Sequence, residues 1–267
     1  MGIKTYLNAS VRSGYLMKWS RMPIAVFIAP MKFYSKPGED LEYRKLAVMA
    51  LETWERASEG LLSFHVVDKL LNSQINIDWR RVDRVALGHC TYNYDNFFRL
   101  YGAEVSIGLT DGKIHQQYDS RAEVFHTLLH EIGHALGLGH SPYETDIMFS
   151  PHQYGVIELS ENDIYSIQCL YCLPCGVTVR EIAADCSVMT DRNIDMVIAE
   201  LDEKYGNAGV GEDANDKTSN NPRAGKGKTR SLLDETSNIA DIKKYHLMLQ
   251  NTGLSGSMSK FFKNRQH

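Results

Sequence analysis

The chain has 267 residues, 43% of them hydrophobic and 23% charged, with a formal net charge of −4 at pH 7. That length supports one sizeable core with residues to spare, and the composition is that of a globular protein. The mild acidity, with no basic face in the front half, gives a nucleic-acid partner no footing, and no apolar run approaches the roughly 20 residues that span a bilayer.

The elements follow in chain order. Residues 23–29 form a short apolar run rich in β-formers, ending at Pro30, and read as a strand rather than as a secretory signal. Tyr6 stands where a myristoylation signal after Gly2 needs Ser or Thr, so lipidation is not expected. Residues 40–58 read as a helix, with Leu46, Ala47, Ala50, Trp54 and Ala57 on one stripe and Gly60 as its stop. Strands are expected over 62–67, over 74–79 with Ile75, Ile77 and Trp79 on one side, over 85–92 and over 104–109. Asp111-Gly112 marks a turn after the last of these. Ser120 and Glu123 form an S-x-x-E capping box, so a helix starts near Arg121. Its buried stripe is Phe125, Leu128, Leu129, Ile132 and Leu136, and Gly137 ends it. A second start at Ser160 and Asp163 opens a short helix with Ile164, Ile167 and Leu170 or Tyr171 facing inward. Residues 191–205 read as an amphipathic helix through Ile194, Val197 and Leu201.

The chemistry is concentrated in residues 130–141, which read HEIGHALGLGHS. His130 and His134, one helical turn apart, lie on one face and reach a single ion. Leu138 occupies the next position on that face, so a third ligand must come from elsewhere. Gly137 lets the chain turn sharply and bring His140 back, completing H-E-x-x-H-x-x-G-x-x-H. With this composition a bare H-E-x-x-H would arise by chance in ~2 chains in a hundred, and the extended pattern in fewer than ~1 in ten thousand. Three protein ligands define a catalytic rather than a structural zinc site. Glu131, next to the first ligand, is the general base that activates the attacking water. Tyr154 is a candidate further hydrogen-bond donor. His126 lies one more turn back, about 5–6 Å along the helix. It is read as a buried neighbour of the metal site, not a fourth ligand.

HEIGHALGLGHS followed by Asp146-Ile147-Met148 resembles the metzincins, in which a methionine turn lies beneath the metal, and Met148 matches that methionine. LSENDIYSIQCLYC is similar to the closing helix of the matrixins, with Cys172 where that family has Gly. The resemblance covers roughly residues 19–171. It implies an α+β metzincin fold: a twisted, mostly parallel five-stranded sheet, two long helices, the methionine turn and a short closing helix. It also implies a zinc metalloendopeptidase that hydrolyses internal bonds of extended protein segments. The substrate would lie along an edge strand, for which 104–109 is the candidate, with an S1′ pocket beside the zinc helix. Animal matrixins carry a structural zinc and calcium ions. Here His89 resembles one structural-zinc histidine and His115 is a weaker candidate, but partners at matching spacing are missing. One catalytic zinc is therefore expected, and neither structural zinc nor calcium. Pro151 and Tyr154 come later than the family's S1′ wall residues, so the pocket is altered. No pro-domain with a cysteine switch is legible, and Cys90 lacks the surroundings of one. The family implies an extracellular protein, while no clear signal peptide is seen.

Five cysteines are not a disulfide framework. Cys169, Cys172 and Cys175 with Cys186 are read as unliganded thiols, with a Cys175–Cys186 disulfide or a metal site as alternatives. The expected organisation is an N-terminal extension over 1–18, a catalytic domain over 19–175 and a helical extension over 176–205. A flexible linker rich in Gly, Asn, Asp and Lys follows over 206–230, and then a tail over 231–267 with one helix at 232–249. A monomer acting on protein or peptide is expected. The competing reading is a catalytically silent, zinc-containing peptide-binding relative.

Overall fold

The computed structural model describes residues 4–31, 38–81, 87–109, 121–189 and 192–206. Ser120, His115, the Asp111-Gly112 turn, residues 207–230 of the expected linker and the tail with its helix lie outside the described residues.

The strands are β1 (Val11–Arg12), β2 (Tyr15–Leu16), β3 (Lys18–Trp19), β4 (Ile24–Ile28), β5 (Phe64–Val67), β6 (Ile75–Arg81), β7 (Gly88–Tyr94) and β8 (Arg99–Leu109). The helices are α1 (Glu39–Ala57), α2 (Arg121–Ala135), α3 (Glu161–Cys172), α4 (Val179–Asp185) and α5 (Ile194–Gly206). The five expected strands form one sheet in the order β7-β8-β6-β4-β5, and the two-residue β3 adds to the start of β8 as a sixth. All neighbours run parallel except β7, which is antiparallel to β8. This corrects one expectation. Residues 104–109 belong to β8, which is enclosed between β6 and β7, so the edge next to the site is β7. Alternation shows which face a strand buries, whereas its neighbours are chosen by the whole sheet.

The apolar stripes end where their spacing directs them. Ala47, Ala50, Trp54 and Ala57 of α1 are buried, as are Leu128, Leu129 and Ile132 of α2 and Ile75, Ile77 and Trp79 of β6. α2 packs on α1 and over β7 and β8. Both ends of this packed unit are then pinned by polar groups that answer helix carbonyls. The Trp19 indole donates to the Ala135 carbonyl at 2.8 Å and the Tyr171 hydroxyl donates to that of Leu136 at 2.8 Å. The Trp54 indole donates to the Leu129 carbonyl at 3.0 Å. α3 starts on the expected Ser160–Asp163 capping box. It ends on Lys18, whose ammonium donates to the carbonyls of Leu170 (3.1 Å), Tyr171 (3.3 Å) and Leu173. Four C-terminal carbonyls of any helix lack partners within it, and a buried cation at that end also meets the favourable pole of the helix dipole.

Segments on either side of this unit join its core. Tyr6, Leu7, Leu16 and Met17 are buried in the same apolar cluster as Ile182, Ala183, Ile194 and Val197. Asp195 of α5 accepts from Thr5 Oγ1 (2.8 Å), Leu7 N (2.6 Å) and Asn8 N (3.1 Å), so the two segments hold each other. α4 starts on a Thr178–Glu181 capping box. None of the five cysteines is joined in a disulfide, and Cys169, Cys172 and Cys186 are buried.

Lys18→Met keeps the apolar stem and removes the donors to buried carbonyls. A loss of about 2 kcal/mol or more is expected, read as a lower urea midpoint with an unchanged m-value.

Candidate active site

α2 places His130 and His134 on one face, and both rings are fixed through Nδ1. His130 Nδ1–H donates to the Ile147 carbonyl at 2.7 Å and His134 Nδ1–H to the Leu138 carbonyl at 2.8 Å. A carbonyl only accepts, so Nδ1 carries the proton and a neutral ring leaves a lone pair on Nε2. Burial keeps the rings neutral: it lowers His130 to about 3 and His134 to about 4, with the neighbouring histidines adding to the effect. His140 is also lowered by burial.

The third imidazole arrives through the turn after α2. Gly137 has φ +100, and a Cβ there would fall 2.1 Å from the Met17 carbonyl oxygen. Only glycine takes that backbone angle without strain and also admits that close approach. The chain then returns so that His134 Nε2 lies 3.1 Å from His130 Nε2 and 3.2 Å from His140 Nε2. His130, His134 and His140 are the one group among the described residues whose ligand atoms lie close enough together to hold a metal ion. Zinc–nitrogen bonds of 2.0–2.1 Å in tetrahedral geometry separate ligand nitrogens by about 3.3 Å. The spacing and donor type fit a zinc ion.

A turn underlies the histidines. Ile147 and Met148 are fully buried, and a Cβ at Gly133 on α2 would lie 2.3 Å from the Met148 sulfur. The buried Asp163 carboxylate organises this turn. It accepts from Ile147 N (2.8 Å), from Ser160 N (2.9 Å) and from the Tyr6 hydroxyl (2.6 Å). Burial raises its pKa, and the hydrogen bonds from Tyr6, Ser160 and Ile147 work against that rise. The same residue, Ile147, thus takes its orientation from Asp163 and gives its carbonyl to His130.

Glu131 is buried beside the histidines, and burial pushes its carboxyl up to about 7. It faces the start of β7, where a Cβ at position 88 would fall 2.5 Å from Glu131 Cγ and Oε1. A cavity of about 480 Å³ opens here, lined by Glu131, His134 and His140 and by Gly88, His89, Cys90 and Tyr92 of β7. His89, the structural-zinc candidate, therefore faces this cavity.

The remaining expected residues do not line this cavity. His126 is buried, its Nδ1–H donates to the Val156 carbonyl at 2.7 Å, and its ring centre is 6.3 Å from that of His130. It is not in the metal-binding group. Tyr154 is 53% exposed and its ring lies 5.3 Å from that of His152, while Pro151 is exposed nearby. His152 and Glu123 were not legible as site neighbours. His152 packs 4.2 Å from the His126 ring and bonds the Glu123 carboxylate, which also accepts from Gly155 N at 3.3 Å. Ala9, Ser10 and Arg12, which also line the cavity, were missed too. Their readable signal was the Ser13-Gly14 pair, a hairpin-turn composition.

A mostly parallel sheet with an antiparallel edge strand, a helix carrying two imidazoles and a third returning through a glycine turn define a zincin-type metallopeptidase. A model of the matrixin family matches residues 18–172, more than half of the chain, and the chain belongs to that family. Membership makes it a zinc metalloprotease with protein as its substrate.

Gly137→Ala combines a strained backbone with a collision against a main-chain oxygen. Gly155 also has positive φ (+77) but open space around its Cβ position. Gly137→Ala is expected to cost at least about 3 kcal/mol and Gly155→Ala only about 1 kcal/mol, by the backbone penalty alone. Chemical denaturation of both variants checks the difference.

Proposed function

We propose that this protein is an endopeptidase in which His130, His134 and His140 hold one zinc ion and Glu131 is the general base. The observation that carries the reading is the convergence of three Nε2 atoms, two of them on rings whose Nδ1–H is committed to a carbonyl. Neutral imidazoles so committed present only lone pairs to one another, and such an arrangement is stable around a cation. The zinc supplies Lewis acidity, lowering the pKa of a water and polarising the scissile carbonyl. The chain's own groups do the rest. Glu131 accepts a proton from the attacking water and returns it to the leaving amine. Met148 supports the histidine helix from below.

The substrate pairs with β7, the edge strand bordering the cavity, as an added strand. An extended segment paired along an edge strand presents its internal bonds to the site, which favours an endopeptidase. Pro151 and Tyr154 border the pocket for the residue that follows the cleaved bond, with His126 and His152 behind them. We assign the catalytic domain to 19–175 and a supporting extension to 176–205, in a protein that works as a monomer. A Glu131 carboxylate placed beside the three imidazoles speaks against a silent peptide-binding relative.

Purified protein should hold one zinc per chain and cleave an unstructured protein. Chelator should abolish cleavage and added zinc restore it. Glu131→Ala should retain the metal and lose about 10²–10⁴-fold in kcat; cleavage at the wild-type rate would rule out this base. Gly88→Ala pushes on Glu131 Cγ and Oε1 without touching a ligand. It should keep the zinc and lower kcat about 10- to 100-fold, as displaced catalytic groups do.

A further inference from the structure

One wall of the cavity comes from residues outside the span that matches the family. Ala9, Ser10, Arg12 and Met17 face Gly88–Tyr92 of β7 across it, and Arg12 is the one permanent cation among its lining residues. This wall is rigidly seated. Gly139 N donates to Ser10 Oγ at 2.8 Å, and a Cβ at 139 would lie 2.5 Å from the Ala9 carbonyl oxygen, so backbone meets backbone there. Arg12 pairs with Tyr15 across a hairpin whose turn residues Ser13 (φ 50) and Gly14 (φ 84) are both left-handed, as a two-residue hairpin turn requires. The far side of the hairpin is clamped as well. Val179 N donates to the Gly14 carbonyl at 2.8 Å, and the Tyr15 ring stacks on Phe98 at 4.7 Å.

The Arg12 side chain is held yet incompletely used. Its Nη1 donates to the carbonyls of Ala9 (3.2 Å) and Val11 (3.1 Å). None of the ion pairs among the described residues involves it, and Glu131, the one carboxylate lining the same cavity, is not paired with it. A guanidinium anchored through one nitrogen keeps its remaining donors in the planar fork that matches a carboxylate.

We infer that Arg12 is a specificity-determining residue that selects an acidic side chain of the substrate on the N-terminal side of the cleaved bond. The inference rests on the peptidase reading above. A strand laid along β7 passes through this cavity. Pro151 and Tyr154 are not among its lining residues, and in the peptidase reading they take the residue after the bond. Arg12 therefore faces residues that precede the bond, where a substrate offers side chains and not its terminal carboxylate.

The test uses full-length, zinc-loaded protein and decapeptides carrying one glutamate at each position around the cleaved bond, each with its glutamine twin. Affinity is read by fluorescence anisotropy on Glu131→Ala, alone and combined with each Arg12 substitution, and cleavage by kcat/KM on the corresponding proteins with Glu131 intact. At one position before the bond, glutamate should bind and be cleaved about two- to fivefold better than glutamine, the range for an exposed charge pair. The advantage should shrink in about 0.5 M salt. Arg12→Gln should bring the ratio to about one, Arg12→Lys should restore part of it, and Arg12→Glu should favour lysine at that position. No glutamate advantage before the bond, an advantage confined to positions after it, or one that survives Arg12→Gln overturns the assignment. If binding shows the Arg12-dependent advantage and no peptide is cut, the peptidase reading fails, and Arg12 stands only as an anchor for an acidic side chain of a bound peptide, with its place relative to a cleaved bond overturned.

Discussion

Three neutral imidazoles pointing their lone pairs at one position is the constraint on which the rest of this structure depends. Left alone, the nitrogens at 3.1 and 3.2 Å would repel or protonate. They stay neutral because burial penalises the imidazolium, and they stay oriented because main-chain carbonyls hold the other ring nitrogen of His130 and His134. Those carbonyls come from Ile147 and Leu138, so the loops after α2 are part of the site as much as the helix is.

The loops are in turn fixed by groups far away in the chain. Asp163 at the start of α3 orients Ile147 while accepting a hydrogen bond from Tyr6, 157 residues earlier. Lys18 closes the other end of α3, and Trp19 and Tyr171 close α2. The result is a frame in which each helix end near the histidines meets a buried donor or acceptor. Such groups cost stability when left unsatisfied, so their pairing rigidifies the site rather than merely decorating it.

The two sides of α2 have different character. Toward β7 the cavity is bordered by an edge strand, by Glu131 and by the Arg12 hairpin. Toward residues 150–156 the boundary is a packed group of His126, His152, Tyr154 and Glu123. Among the described residues outside the family match, the hairpin over 11–16 is braced on the first of these sides by Val179 N, which donates to the Gly14 carbonyl, and by the Tyr15–Thr178 bridge. The family match covers the sheet, the histidine helix and α3, while the supporting hairpin and α4–α5 lie outside the matched span.

Much of the site was legible because it is local. His130, His134, Glu131 and Gly137 sit within two helical turns, and helix geometry alone puts them together. Ser160 and Asp163 announce α3, and the stripes of α1, α2 and β6 state which side is buried. The edge strand was misplaced because residues 104–109 and 85–92 both read as strands, and only pairing with β6 decided which one is enclosed. Arg12, His152 and Glu123 were not legible as site residues, since their neighbours lie tens to over a hundred positions away. By itself the sequence determined the metal-binding motif, the secondary structure around it and the family. Tertiary structure alone decided which strand borders the cleft, what charge lines it and which carbonyls orient the histidines. These are contacts between distant segments, and spacing along the chain carries no record of them.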